Sequence, residues 1–187
     1  METVNFSRMA DGSAEEYRFL DRIEHRFVEH TADRVLAHLQ QLRGSLGGYR
    51  IDRYQHSLQS ATRAYRDGAS EELVVAALLH DIGDMLAPCN HGELAAAILR
   101  PYVSDRTYWI VKHHGIFQAY YYAHHLGGDR NARDRYVDHP AYKATVDFCE
   151  RWDQTSFDPD FETLSIEIFE PMVRRIFARE PFAHERR

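Results

Sequence analysis

The sequence predicts an all-α protein. Three observations lead there. Apolar residues recur at helical rather than alternating spacing along most of the chain. Cap residues and glycines fall where such helices should start and stop. No run of β-branched residues alternates in the manner of a strand.

Each element has its own local signal. Ser13-Ala14-Glu15-Glu16 has the form of a capping box and opens a helix reaching about residue 30. Residues 31–43 form a second helix, with Val35, Leu36, Leu39 and Leu42 at helical spacing. Gly44-Ser45-Leu46-Gly47-Gly48 breaks the pattern. We therefore read residues 1–46 as an N-terminal helical arm and 47–187 as a catalytic core, in one compact domain overall. Residues 53–66 are helical with Tyr54, Leu58, Ala61 and Tyr65 in one stripe, and His56 lies off it. Gly68 ends that helix and Ser70 caps the next.

The next helix is the centre of the pattern. Leu73-Val74-Val75-Ala76-Ala77-Leu78-Leu79 is apolar all round, which predicts a buried helix. His80-Asp81 ends it, followed by Ile82-Gly83-Asp84. An imidazole and a carboxylate carried inward side by side need compensation. A buried ion pair and a metal ion both provide it. Asn90 N-caps a further helix, with His91 first inside and Glu93 at the capping-box position, and it stops before Pro101. Ser104 caps a helix whose Thr107, Ile110, Val111 and His114 share a face, punctuated by Gly115. Aromatic residues crowd 117–122. Residues 141–154 are helical, with Tyr142, Val146, Cys149 and Asp153 on one stripe, so Asp153 is either buried or at a frayed end. Asp158-Pro159-Asp160 is a turn, and an amphipathic helix spans about 166–178.

Composition narrows the function. A net charge of −6 with no basic stripe argues against a nucleic-acid partner. No apolar stretch approaches the roughly 20 residues of a membrane span. Two cysteines make no disulfide framework, which predicts a reducing, cytoplasmic setting. Cys89 reads as a small buried thiol. The 12 histidines are many for 187 residues. His56, His80-Asp81, His91, His114 and Asp153 form an ordered series in separate segments. Imidazole with carboxylate suits iron, manganese or zinc better than calcium.

That ordered series resembles the HD-domain superfamily, over roughly residues 49–175. The superfamily fold is a helical bundle with metals between helices. The two extra histidines resemble its dinuclear members. Four segments are similar to the mixed-valent di-iron oxygenases that cleave 1-hydroxyphosphonates, relatives of myo-inositol oxygenase: Gln55-His56-Ser57-Leu58-Gln59, Ala76-Ala77-Leu78-Leu79-His80-Asp81-Ile82-Gly83, Asn90-His91-Gly92-Glu93 and Arg151-Trp152-Asp153. The resemblance implies one iron on His56, His80 and Asp153, a second on His91 and His114, and Asp81 bridging, with His113 as the rival to His114. It implies an Fe(II)/Fe(III) pair, with O₂ as co-substrate, cleaving the carbon–phosphorus bond to a carboxylic acid and phosphate. It also implies a tyrosine–acid pair that occupies the open iron site until substrate arrives, for which Tyr49 and Asp52 keep the spacing.

For the substrate, Asp84 and the tyrosines near Tyr122 suggest a cationic head, as in (1-hydroxy-2-(trimethylammonio)ethyl)phosphonate, whose product would be glycine betaine. Gln118, with Lys112, Arg130 and Arg133, are candidates for the phosphonate. The competing expectation is a metal-dependent HD phosphohydrolase acting on a small phosphate ester or nucleotide. A third is a non-enzymatic, metal-stabilised binding module. Metal identity and oligomeric state are not fixed by the sequence.

Overall fold

The structure, a computed structural model, describes residues 3–183. Eight α-helices make up its frame: α1 (Ala14–Glu29), α2 (Thr31–Gln41), α3 (Arg53–Arg66), α4 (Glu71–Leu79), α5 (His91–Leu99), α6 (Asp105–Gln118), α7 (Tyr142–Phe148) and α8 (Ile166–Phe177). There is no strand among the described residues. Short 3₁₀ turns link α6 to α7, and a π-helical turn, Cys149–Asp153, comes directly after α7.

Local chemistry sets the boundaries. Ser13 and Glu16 form the expected capping box on α1. Asp52 caps α3 by accepting from Gln55 N at 2.7 Å. Ser70 and Ser104 cap α4 and α6 through Leu73 N and Thr107 N. Gly68, at φ +70°, ends the α3 segment in a left-handed conformation that glycine adopts without strain. Asn90 precedes α5 but makes no side-chain cap, so that capping box does not form.

α4 lies at the middle of the core. Val74 through Leu79 are all buried, as the all-round apolar sequence predicts. Each such Leu or Val contributes about 1.5–3 kcal/mol on burial. That offsets the cost of holding polar His80 and Asp81 in the interior. α4 packs against α3, α6 and α8, and α5 packs on α6. α2 buries Ala32, Val35 and Leu39 in the same core, whereas α1 buries no residue. His38 of α2 reaches the carbonyl of Ile82 at 3.2 Å, which ties α2 to the turn after His80-Asp81.

Three local expectations change. α3 is surrounded on several sides, so His56 is only 1% exposed although it lies off the Tyr54 stripe. Tyr65, placed on that stripe, is exposed. Gly115 does not interrupt α6, which continues to Gln118.

Candidate metal centre

Six side chains from five segments meet at one point. α3 supplies His56, the end of α4 supplies His80 and Asp81, the first residue of α5 is His91, α6 supplies His114, and the π turn supplies Asp153. Two glycines allow the approach. A Cβ on Gly83 would lie 2.5 Å from the His91 carbonyl oxygen. A Cβ on Gly92 would lie 3.1 Å from both His114 Cε1 and the Val111 carbonyl. α5 therefore seats against the turn only without a side chain at Gly83, and a side chain at Gly92 would press on α6 by a few tenths of an ångström.

The ring orientations are set from behind. His56, His80 and His114 place Nδ1 against the carbonyls of Ser156 (2.8 Å), Ala77 (2.8 Å) and Val111 (2.7 Å). A neutral imidazole that donates from Nδ1 keeps its lone pair on Nε2. Those Nε2 atoms all point inward. His56 Nε2 and His80 Nε2 stand 3.1 Å apart, as do His91 Nε2 and His114 Nε2. Two lone pairs at that distance repel unless a proton or cation lies between them.

Asp81 divides the cluster into two lobes. Its Oδ2 lies 3.4 Å from His56 Nε2 and 3.5 Å from His80 Nε2. Its Oδ1 lies 3.4 Å from His91 Nε2 and 3.3 Å from His114 Nε2. Asp153 Oδ1 joins the first lobe, 3.3 Å from His56 Nε2 and 3.6 Å from His80 Nε2. Ligands on one ion with bonds of about 2.0–2.2 Å stand about 2.8–3.6 Å apart. The spacings within both lobes fall in that range. Asp153 Oδ2 is buried without a hydrogen-bond partner. A buried carboxylate oxygen left without a donor is costly, and a metal ion at this position satisfies it. The donor set thus fits one or two metal ions, with Asp81 as the shared ligand.

Electrostatics agrees with ligand chemistry. Burial pushes Asp81 up, but the imidazoles of His80, His114 and His56 outweigh it and hold the carboxyl well below its usual range. Asp153 is likewise held down, by His80 and His56 against burial. Burial lowers His56 and His80, but the Asp153 and Asp81 carboxylates raise both above the ordinary value. His91 is lowered by burial and by His114, despite Asp81.

A cleft of about 240 Å³ opens onto the cluster, lined also by Tyr49, Arg53, Gln118, Tyr122 and Phe157. Gln118 Nε2 donates to Asp153 Oδ1 at 3.1 Å and leaves its Oε1 unpartnered. Phe157 stacks between His56 (4.3 Å) and Tyr49 (4.8 Å). Arg53 lies 3.2 Å from Asp81 Oδ2 and 3.0 Å from Asp84 Oδ2. Neither Arg53 nor Phe157 stands out in the sequence. Arg53 is three residues before His56 on α3, and that one-turn spacing is the available signal.

Other expected residues lie elsewhere. Asp52 caps α3 and is not part of the cluster or the cleft lining. Asp84 faces Arg53 and His91 rather than the cleft, so its charge is already matched. Arg130 and Arg133 pack on the Tyr120 ring at 4.2 and 3.7 Å and do not line the cleft. They also cover a tyrosine expected to hold a cation. His113 turns away from the cluster, stacking on Trp109 at 4.1 Å with Nδ1 on the Trp109 carbonyl. Cys89 is exposed, and Cys149 is the buried thiol.

With this geometry in hand, comparison with known families gives one match. Residues 53–143 match the HD domain. The HD-domain match begins at Arg53 and takes in His56, His80, Asp81, His91 and His114, stopping before Asp153. The HD domain points to a superfamily of metal-dependent hydrolases and oxygenases, and its metal-binding residue types are present here as buried His/Asp groups. No curated protein matches the chain. No described helix is long and apolar enough to cross a membrane.

Proposed function

We propose that this protein is a mixed-valent Fe(II)/Fe(III) HD-domain dioxygenase that cleaves the carbon–phosphorus bond of a 1-hydroxyphosphonate with O₂, giving a carboxylic acid and phosphate. The observation that carries the reading is Asp81, whose two oxygens face two separate histidine pairs. A carboxylate so placed suits two ions at once. His56, His80 and Asp153 would hold one iron, and His91 and His114 the other.

When bound, the iron pair supplies Lewis acidity toward hydroxyl and phosphonate oxygens and electrons for dioxygen. The chain supplies the rest. Arg53 lines the cleft beside Asp81 and presents a guanidinium to an anionic substrate group. Gln118 offers a free Oε1 to a substrate hydroxyl. Tyr49, Phe157 and Tyr122 wall the cleft with rings, which limits the water reaching the centre. The trimethylammonio head group loses two supports, because Asp84 is paired with Arg53 and Tyr120 is covered by two arginines. The substrate class retained is the 1-hydroxyphosphonate.

Electron paramagnetic resonance of iron-loaded, partly reduced protein tests the proposal. The expected result is a coupled Fe(II)/Fe(III) signal that changes when a 1-hydroxyphosphonate is added. Absence of that state, together with metal-dependent phosphate release from esters without O₂, would assign the site to an HD phosphohydrolase instead.

A further inference from the structure

A second cavity, about 480 Å³, adjoins the metal cleft and shares His91, Gly115 and Tyr122 with it. Its outer wall carries Lys112, His113 and Arg135. Glu93 is the one carboxylate among its lining residues. Lys112 lies over the Tyr108 ring and Arg135 over the Tyr136 ring, and neither is ion-paired within the described residues. The wall therefore has an excess of positive charge without a partner.

The boundary between the cavities is Gly115. It lies inside α6, where glycine costs about 1 kcal/mol relative to alanine. No close packing explains it, because a Cβ built there would meet no atom within 4 Å. That open space faces both cavities. A larger side chain would project into the gap between them.

We infer that the two cavities form one substrate-binding channel passing over Gly115, in which the outer cavity takes a second anionic group of the substrate on Lys112 and Arg135, beside the His113 ring. The inference rests on the reading of the metal cleft as the site of a phosphonate head. It assigns to that substrate an acidic tail, such as a carboxylate or phosphate, in place of a cationic one.

The test uses zinc-loaded protein, which is diamagnetic and needs no turnover. Methylphosphonate probes the metal cleft alone. A series of ω-carboxyalkylphosphonates of increasing length probes both cavities, with the matching ω-aminoalkylphosphonates as charge controls. Affinity is read by calorimetry, and occupancy of the outer cavity by the ring-proton resonances of His113. The expected result is that one carboxyalkyl length binds about tenfold or more tighter than methylphosphonate. That probe should shift His113, and both effects should disappear in K112Q/R135Q and in Gly115→Leu but persist in Gly115→Ala. The inference is overturned if no length gains affinity, if the gain survives K112Q/R135Q, or if the amino series gains as much. Failure of methylphosphonate to bind, with His113 still shifted by the carboxyalkyl series and restored in K112Q/R135Q, would refute the metal-cleft reading and leave the outer site standing.

Discussion

Replacing Gly83 by alanine should separate the two lobes of the metal centre. The new Cβ would sit 2.5 Å from the His91 carbonyl oxygen and 2.9 Å from His91 Cα. Both are backbone atoms and cannot rotate away. Ordinary contact begins at 3.4 Å, so the turn and the start of α5 must part by about 0.9 Å. Metal ligation tolerates displacements of only about 0.2 Å. His91 Nε2, now 3.4 Å from Asp81 Oδ1 and 3.1 Å from His114 Nε2, would leave its lobe. His56, His80 and Asp153 belong to other segments and would keep theirs. Overpacking of this kind costs about 1–3 kcal/mol, which in a protein of this size lowers Tm by roughly 2–4 °C for each kcal/mol. Mass-spectrometric metal analysis of reconstituted protein should show the content falling from about two ions per chain to about one, with a lower Tm by calorimetry. Full metal content with an unchanged Tm would refute the argument, because it would mean that the His91 backbone moves without consequence for ligation.

Other expectations can be checked with the same preparations. Asp52→Ala removes the α3 cap and should cost about 0.5–2 kcal/mol in chemical denaturation, with metal content unchanged. A complete loss of turnover at normal stability would show instead that Asp52 acts at the irons. Arg53→Gln should raise KM for a phosphonate more than it lowers kcat, and an unchanged KM would remove Arg53 from substrate binding. The buried groups set the pH response of the metal-free protein. His56 and His80 are raised, so their stabilisation is present below the unfolded pKa of about 6.5 and lost as pH rises through the folded values. Asp81 and Asp153 are depressed, so theirs is present above about 3.9 and lost as pH falls through the folded values. Tm in chelator should therefore fall above about pH 6.5, while metal affinity rises over the same interval because the imidazoles must deprotonate to bind. A Tm that climbs with pH in chelator would contradict this.

The sequence makes some of this visible and conceals the rest for identifiable reasons. α4 is readable because its burial is complete, so every position from Val74 to Leu79 is apolar. The cluster residues are readable as polar groups in or beside apolar helices. The burial of His56 is not, since a stripe of apolar residues reports one buried face and α3 is covered on more than one. Asp52 resembles part of a tyrosine–acid pair because a capping carboxylate and a reactive one have the same local sequence context. Arg130 and Arg133 are candidates for anion binding on charge alone. Their placement depends on Tyr120, a contact across a loop that spacing does not reveal. Arg53 escapes notice for the opposite reason, since a helix-opening arginine is ordinarily a solvated charge.

The π turn after α7 has a bearing on how such a centre could arise and be lost. The bond from Gln154 N to Cys149 O, 2.9 Å, closes over five residues where an α-helix closes over four. One surplus residue is thereby accommodated within the segment that presents Asp153. Deleting a single residue there would let the turn relax to α-helical form with Gln154 and the residues beyond it in place, because the residue removed is the surplus one. In a segment already α-helical the same deletion would turn them by about 100° and carry the carboxylate out of the first lobe. A relative with the other five positions intact and a one-residue gap before Arg151-Trp152-Asp153 should therefore be counted as keeping that lobe's second carboxylate.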